Sequence, residues 1–380
     1  MTPARGAARA PGPPLPLSVL TGLLGAGKTT LLNRLLRDPA LADTAVIINE
    51  FGEIGLDHLL VEKVDEGLVL LSTGCLCCTM RGDLVEALER LTRNLDNGRA
   101  AFSRVVIETT GLADPAPVLH TTMVHPYLAM RYRLDGVIAV VDAVNGAATL
   151  EAHPEAVKQA AVADRIVLTK TDLAGGAHAE ALAVLMQRLR ALNPAAPILD
   201  AAAGQAVAAR LFDCGLYDPT TKTADVRRWL AAEAYADAQG AARGHGGHGH
   251  DPNRHDAHIR AFCLSTEAAI PASAFEMFLD LVRSMHGPKL LRMKGVVKIA
   301  ETPRTPLVVH AVQHLMHPPA RLPAWPDGDE RTRMVFIVRD IDPRTISELF
   351  DAFLGAAAPD RADRAAIADN PLVPFGGVDR

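Results

Sequence analysis

The chain has 380 residues, of which 49% are hydrophobic and 22% are charged, and its formal net charge is −5. This length exceeds the roughly 250 to 300 residues that one core usually serves, so two domains are expected. No stretch offers the roughly 18 uncharged apolar residues of a membrane span, and the acidic net charge gives no general attraction to nucleic acid. Membrane and nucleic-acid partners are therefore not predicted.

The first 14 residues contain two arginines and precede an apolar stretch, an arrangement that superficially resembles a secretory signal. That stretch runs directly into a phosphate-binding pattern at Lys28, which cleavage would destroy. We therefore interpret residues 1–14 as a disordered lead and expect a cytoplasmic protein.

Short β-branched runs alternate with helical patterns through the first half of the chain. The predicted strands are LPLSVL, TAVIINEF, GLVLLS, RVVIETT, GVIAVVDA, RIVLTK and APILDA. Leucines between them recur at three- and four-residue steps, which is typical of helices that pack one face on a sheet. The alternation predicts an α/β fold with a doubly wound, mainly parallel sheet.

The pattern gives way at about residue 221 to Ala, Gly, His and Asp, which indicates a linker. Beyond it the order strand, helix, three strands, helix predicts a small α+β domain with a mainly antiparallel sheet; the third of these four strands is PLVVHAVQHLM. The predicted division is a lead at 1–14, a nucleotide-binding domain at 15–220, a His-rich linker at 221–258, an α+β domain at 259–358 and a tail at 359–380.

The segment GLLGAGKTT follows the first predicted strand, opens a predicted helix and matches G-x-x-x-x-G-K-[ST]. Glycines let the backbone N–H groups face the phosphates, while Lys28 reaches the β and γ oxygens and the Thr29 hydroxyl binds Mg²⁺. The predicted phosphate contacts are Gly22, Leu23, Leu24, Gly25, Ala26, Gly27, Lys28, Thr29 and Thr30.

A Walker B-like segment, RVVIETTG, places Glu108 at a strand tip. P-loop enzymes usually have Asp there, so a direct and a water-mediated contact with Mg²⁺ both stay open. We predict that Lys28 and Glu108 act in catalysis, and that Thr29, Glu50 and Glu108 serve the Mg²⁺ site.

The segment TKTD, which comprises Thr169, Lys170, Thr171 and Asp172, follows a late predicted strand. The carboxylate of Asp172 can accept hydrogen bonds from N1–H and the exocyclic amine of guanine, a pairing that adenine does not offer. The segment therefore favours GTP over ATP.

Three of the five cysteines, Cys75, Cys77 and Cys78, lie in GCLCC after a predicted strand. Three thiolates suit Zn²⁺ or Cu⁺ better than Mg²⁺ and leave a fourth tetrahedral position open, as a protein that releases its metal requires. A closed structural zinc site with Cys214 or a histidine, and simple buried cysteines, are the alternatives. The preceding segment NEFGEIGLD carries Glu50 and resembles a switch that senses Mg²⁺ and the γ-phosphate, or else a solvated acidic loop.

Together these motifs resemble the CobW-like GTPases, a family of zinc metallochaperones, cobalt-insertion proteins of cobalamin synthesis and nitrile hydratase activators. The resemblance covers roughly residues 17–355 and rests on GLLGAGKTTLLN, NEFGEIGLDH, GCLCCTMRGDL, VVIETTGLADPAPV, TKTDL and the C-terminal tracts. It implies metal binding at Cys75, Cys77 and Cys78, with delivery of the metal to a client coupled to GTP hydrolysis. One departure is Thr169, which stands where GTPases commonly have Asn.

Five histidines, among them His245, His248 and His250, lie in the linker and suit weak accessory binding of Zn²⁺, Ni²⁺ or Co²⁺, or else form a linker without a metal role. A further group comprises His310, His314 and His317. On one continuous strand His310 and His314 would share a face, and a structural or interface role is favoured for them.

The resulting hypothesis is a slow GTPase that uses GTP and Mg²⁺ and carries Zn²⁺, with Co²⁺ as the other candidate cargo. The expected partners are a metal-requiring client protein and a second copy in a nucleotide-dependent dimer. The alternatives are a GTP- and metal-responsive regulatory switch, a cobalt-insertion protein of cobalamin synthesis, and a chaperone for an organometallic cofactor enzyme, against which the cysteine cluster argues.

Overall fold

The computed structural model describes two folded regions of the chain. It covers residues 13–51, 68–73, 79–174, 179–212, 258–313, 315–317, 319–326 and 328–354, with the backbone alone at 49–51, 68–73 and 79–81. Most of the predicted lead, linker and tail lies outside these ranges. None of the helices within them combines the length and apolar character that a bilayer crossing requires.

Seven parallel strands form the first sheet, and each coincides with one of the predicted apolar runs. They are β1 (Leu15–Thr21), β2 (Thr44–Phe51), β3 (Leu68–Thr73), β4 (Arg104–Glu108), β5 (Tyr132–Asp142), β6 (Arg165–Thr169) and β7 (Ile198–Asp200). Their order across the sheet is β3-β2-β4-β1-β5-β6-β7. The predicted doubly wound parallel fold is confirmed.

Helices cover both faces of this sheet, because the strands are apolar on both sides. They are α1 (Lys28–Leu36), α2 (Thr79–Asp96), α3 (Ala116–Val124), α4 (Pro126–Arg131), α5 (Gly146–Ala152), α6 (Pro154–Val162), α7 (Ala179–Leu192) and α8 (Ala208–Leu211). Leu17 packs in the cluster that contains α2 and α3, whereas Leu20 packs with α1 on the other side. This alternation is the two-residue period of a strand.

The topology creates a crevice at the carboxyl end of β1. That strand lies between β4 and β5, which are consecutive along the chain but are separated by β1 in the sheet. Open α/β sheets bind ligands at such a switch point. The loop after β1, the end of β4 at Glu108 and the end of β5 at Asp142 all meet there.

The second region is a six-stranded antiparallel sheet with two helices. Its strands are β8 (Ile259–Thr266), β9 (Leu290–Val297), β10 (Leu307–Val312), β11 (Leu315–Met316), β12 (Ala320–Arg321) and β13 (Thr332–Arg339), and its helices are α9 (Ala272–His286) and α10 (Pro343–Phe353). The order is β11-β10-β9-β13-β8, with β12 paired to β10. Phe275, Phe278 and Phe350 bury the helices against one face. The predicted small α+β domain is confirmed.

One predicted strand, PLVVHAVQHLM, is wrong as a single element. The chain turns back after Val312, so that β10 pairs with β11 in a tight hairpin. Gln313 in the turn has a φ of 53°, which ends the extended conformation. His310 therefore stacks on His317 across the hairpin, with ring centroids 4.5 Å apart. His314, which was expected to share a strand face with His310, lies outside the described residues.

The other face of the antiparallel sheet packs against the nucleotide-binding domain. Leu291, Val312, Leu315 and Ile337 share one buried cluster with residues of the parallel sheet. At its edge Asp164 pairs with Arg292 and with Lys294, whose Nζ lies 2.5 Å from Oδ1. Burial alone would raise the Asp164 pKa, but these two cations outweigh it and hold that pKa well below its usual range.

Candidate nucleotide site

The loop between β1 and α1 has a backbone that only glycines adopt without strain. Gly22, Gly25 and Gly27 have φ values of 143°, 77° and 91°. A Cβ on Gly22 would lie 2.3 Å from the carbonyl oxygen of Val140, so this glycine is also required by space. The loop then leads into α1, whose N-terminal end favours negative charge.

The predicted magnesium ligands Thr29 and Glu108 lie together. The Thr29 hydroxyl donates a 2.7 Å hydrogen bond to Oε1 of Glu108, although 79 residues separate them along the chain. The Glu108 side chain is buried at the end of β4. A hydroxyl and a carboxylate are the hard oxygen ligands that Mg²⁺ prefers, so this pair fits the ion.

Lys28 lies over the same loop and is nearly buried. Its Nζ donates to the carbonyl oxygen of Leu23 at 3.3 Å. The ammonium group is therefore held beside the backbone that would surround the phosphates, as the P-loop interpretation requires.

The TKTD segment supports the P-loop from the side. The Thr169 hydroxyl donates to the carbonyl oxygen of Ala26 at 2.6 Å, and Nζ of Lys170 donates to Gly25 O at 2.9 Å. The hydroxyl found here in place of the usual Asn amide thus serves to fix the loop. Lys170 itself has a φ of 58°, a left-handed conformation that directs it back over the loop.

Asp142, at the end of β5, is a site residue that the motif search missed. Its carboxylate accepts hydrogen bonds from Lys170 Nζ at 2.7 Å and from the side chain of Asn145 at 3.0 Å. Partial burial would raise the Asp142 pKa, but these donors lower it below the usual value. An acid at the tip of a strand adjacent to the P-loop strand was the signal that could have identified it.

Thr171 and Asp172, which were predicted to recognise the base, begin a short 3₁₀ turn beyond Lys170. Thr171 donates to Oδ1 of Asp200 at 2.6 Å, which fixes the turn to the end of β7. Asp172 is exposed, so its carboxylate faces solvent at the edge of the site.

The loop between β4 and α3, residues 109–115, touches the P-loop directly. The Thr109 hydroxyl donates to Thr21 Oγ1 at 2.9 Å. A Cβ on Gly111 would lie 2.3 Å from the backbone nitrogen of Leu24. The backbones of the two loops are therefore in close contact at this point.

Several predicted ligands fall outside the described residues. These are Cys75, Cys77, Cys78, His245, His248 and His250. Glu50 is described by its backbone alone: it lies near the end of β2, in register with Ser72 of β3. β2 runs through Phe51, so the predicted switch segment begins within a strand and not in a loop. In the described part of the chain, no group of three His, Cys, Asp or Glu residues is arranged to hold a metal ion.

Two protein families match this chain. Residues 16–200 match the CobW/HypB/UreG nucleotide-binding domain, and residues 259–354 match the cobalamin synthesis protein cobW C-terminal domain.

Relatives of this chain carry names that refer to zinc. The zinc chaperone YjiA of Escherichia coli (strain K12) is 34% identical over 326 residues, which span 85% of this chain and 94% of that protein. Zinc-regulated GTPase metalloprotein activator 1 of Schizosaccharomyces pombe is 37% identical over 199 residues, which span 50% of this chain and 47% of that protein. The crystal structure of Zn(II)-bound YjiA GTPase from E. coli superposes with a TM-score of 0.64 at 29% identity, covering 90% of this chain and 99% of that one.

Proposed function

The chain belongs to the CobW/HypB/UreG family, and from that premise we propose that it is a GTPase that binds zinc as cargo and delivers it to a client protein. The GTPase activity is supported chiefly by the contact between Thr29 and Glu108, which lies beside a P-loop shaped by glycines. It joins two residues that are distant in sequence into one oxygen site next to the phosphate cradle.

The nucleotide contacts follow from the geometry of the described residues. The backbone of Gly22–Thr29 would surround the phosphates, and Lys28 would turn from the Leu23 carbonyl to their oxygens. Thr29 and Glu108 would hold Mg²⁺, which when bound supplies positive charge to the β and γ oxygens. The exposed carboxylate of Asp172 would accept from guanine, while Thr169 and Lys170 keep the loop in shape.

We propose Cys75, Cys77 and Cys78 as the ligands of the transported zinc. Three thiolates bind zinc tightly and leave one tetrahedral position for a group of the client. The names of the relatives, zinc chaperone and zinc-regulated GTPase metalloprotein activator, support zinc as the cargo and a metal-requiring protein as the client. The linker histidines are an accessory zinc-collecting segment in this scheme.

The proposed GTPase is slow on its own, forms a dimer and is cytoplasmic. Hydrolysis is slow in the absence of the client, because no arginine finger or water-positioning glutamine stands out in the sequence. We also propose that the protein forms a nucleotide-dependent dimer and is located in the cytoplasm. Light scattering with GDP and with a non-hydrolysable GTP analogue tests the dimer.

Cobalt is the second candidate cargo, favoured by the match of residues 259–354 to a domain described from cobalamin synthesis. Zinc and cobalt affinities measured side by side on the same preparation decide between them. If cobalt occupied the site in preference to zinc at physiological concentrations of both metals, cobalt would be the cargo.

GTP turnover and metal transfer test the two halves of the function separately. Purified protein is expected to hydrolyse GTP and not ATP in the presence of Mg²⁺, and Glu108→Gln should lower kcat by about 100-fold because it weakens the Mg²⁺ site. Zinc should move from the loaded protein to a metal-free client in the presence of GTP. Turnover without transfer would indicate a GTP- and metal-responsive regulatory switch.

A further inference from the structure

A polar junction ties the β4–α3 loop to the C-terminal domain at Asp114. Oδ1 of Asp114 accepts from the backbone nitrogen of Ala116 at 3.0 Å, where α3 begins. Oδ2 accepts from Nζ of Lys158 in α6 at 3.2 Å and from Nε2 of Gln313 at 3.3 Å. Gln313 lies in the turn between β10 and β11, 199 residues further along the chain. A single carboxylate thus connects the loop after Glu108 with the second domain.

The backbone of Gln313 is held in an unfavourable conformation. Its φ of 53° is left-handed, a region that residues other than Gly, Asn and Asp seldom adopt. Its backbone nitrogen donates to Leu291 O at 3.2 Å, so β9 fixes the turn. A glycine would satisfy this turn more easily, but a glycine has no side chain to reach Asp114.

Helix α6 gives a second connection between the same loop and the second domain. The buried amide nitrogen of Gln159 donates to the carbonyl oxygens of Gly111 at 3.2 Å and Ala113 at 2.9 Å. Three residues further on, the Val162 carbonyl accepts from Arg292 of β9. The loop is therefore bound to α6, and the end of α6 is bound to the antiparallel sheet.

The Asp164 ion pairs reinforce this second connection. Asp164 follows α6, and its carboxylate contacts both Arg292 and Lys294 in a buried setting. Its other oxygen accepts from the backbone of Val137 in β5 at 2.9 Å. The antiparallel sheet is thus held to the parallel sheet close to the loop that it also contacts through Gln313.

The loop lies directly against the nucleotide site. Gly111 leaves no space for a methyl group against Leu24 of the P-loop, and Glu108, directly before the loop, hydrogen-bonds Thr29. A displacement at Asp114 therefore reaches the phosphate and Mg²⁺ contacts through a few residues of tightly packed backbone.

We propose that Gln313 is a positioning residue for GTP hydrolysis: through Asp114, the C-terminal domain holds the β4–α3 loop, and with it Glu108, in the arrangement that hydrolysis requires. This proposal rests on the GTPase activity proposed above and adds that the C-terminal domain sets its rate. A client that changes the β10–β11 turn would then change the rate of hydrolysis.

Three substitutions at Gln313 test the proposal. All three place a non-glycine residue at the same left-handed position, but they differ in how the new side chain interacts with the carboxylate of Asp114. Gln313→Lys keeps a donor and adds a favourable charge, Gln313→Ala removes the donor, and Gln313→Glu places a carboxylate against a carboxylate. Steady-state kcat and KM for GTP, together with thermal unfolding midpoints, are measured on the full chain with Mg²⁺. We expect kcat near the wild-type value for Lys, about 3- to 5-fold lower for Ala and about 10-fold lower for Glu, with KM changed less than about 2-fold.

A purely structural role for Gln313 would produce a different pattern. The three variants would then share one kcat when it is measured well below all of their unfolding midpoints, and that result would overturn the proposal. If Gln313→Glu fails to fold, the comparison of Lys with Ala still decides. Absence of GTP turnover in the wild-type protein would refute the proposed GTPase activity itself, and this inference with it.

Discussion

Hydroxyl groups at the candidate nucleotide site join its strands and loops. Thr29 contacts Glu108, Thr109 contacts Thr21, and Thr169 contacts the P-loop carbonyl of Ala26. Each of these bonds joins two different strands or loops, and the bond made by Thr169 is the shortest of the three at 2.6 Å. The shape of the phosphate cradle therefore depends on single side-chain oxygens.

Replacing Thr169 by Val tests this dependence with almost no change in shape. The substitution leaves the buried Ala26 carbonyl without its hydrogen-bond donor. We expect the binding free energy of GTP to become less favourable by about 1 to 1.5 kcal/mol, which corresponds to about 5- to 10-fold weaker binding. Fluorescent nucleotide titration measures the change. Thr169→Ser, which retains the hydroxyl, should bind GTP within about 2-fold of the wild type. Equal affinities for the Val and Ser variants would show that the hydroxyl does not support the loop.

Asp172 is the residue on which guanine selectivity is predicted to rest. Asp172→Asn should weaken GTP binding by about 10- to 100-fold, because one of the two acceptor oxygens becomes a donor that faces the exocyclic amine. Xanthosine triphosphate, which has a carbonyl in place of that amine, should gain affinity in the same variant. Competition binding with both nucleotides measures the exchange, and unchanged GTP affinity would remove Asp172 from the base site.

At the scale of elements, the first strand and helix meet at a loop that leaves no space for a side chain at Gly22. Gly22 has a left-handed φ of 143° and faces the Val140 carbonyl, whereas Gly82 of α2 has open space around its Cβ position. The same substitution at the two glycines should consequently have opposite effects on stability.

We expect Gly22→Ala to destabilise the fold by about 2 kcal/mol or more and to abolish GTP binding, because the methyl group collides with β5. Gly82→Ala should stabilise it by about 0.5 to 1 kcal/mol, since alanine favours the helix and no neighbour obstructs it. Urea denaturation of both variants measures the pair. Destabilisation by Gly82→Ala comparable with that by Gly22→Ala would contradict the structural explanation.

Local patterns predicted the elements well where a single physical cause dominates. Seven β-branched runs became the seven parallel strands, and the P-loop lies where its glycine spacing placed it. The hairpin at Gln313 was missed because its left-handed turn residue is a glutamine and not a glycine. The contact of Asp114 with Gln313 has no local signal at all, because only the packing of two sheets brings these residues together.

The whole molecule is joined by a buried interface in which charge is concentrated. Asp164 of one domain faces Arg292 and Lys294 of the other, and the stacked His310 and His317 lie beside these groups. Burial, the stacked neighbour and the two cations lower the His310 pKa well below its usual value. Burial chiefly lowers the pKa of His317, to about 4.

Stability should therefore fall in acid between pH 6.5 and 4. Above about pH 6.5 these histidines are neutral in both the folded and unfolded chains, and below it the unfolded chain gains protons first. His317 alone should account for a loss of about 2 kcal/mol in the free energy of unfolding at pH 5 relative to pH 7.5. His317→Gln should reduce that loss in urea denaturation. An identical pH dependence in the variant and the wild type would show that His317 is not the titrating group.

We propose that one chain couples GTP to the capture and delivery of zinc. The most direct measurement is the zinc affinity of the purified protein without nucleotide, with GDP and with a non-hydrolysable GTP analogue, alongside Cys77→Ala. We expect a site that depends on Cys77 and binds zinc more tightly in the GTP-analogue state. Equal affinity in all three states, unaffected by loss of Cys77, would contradict it and leave a GTPase whose cysteines do not serve metal delivery.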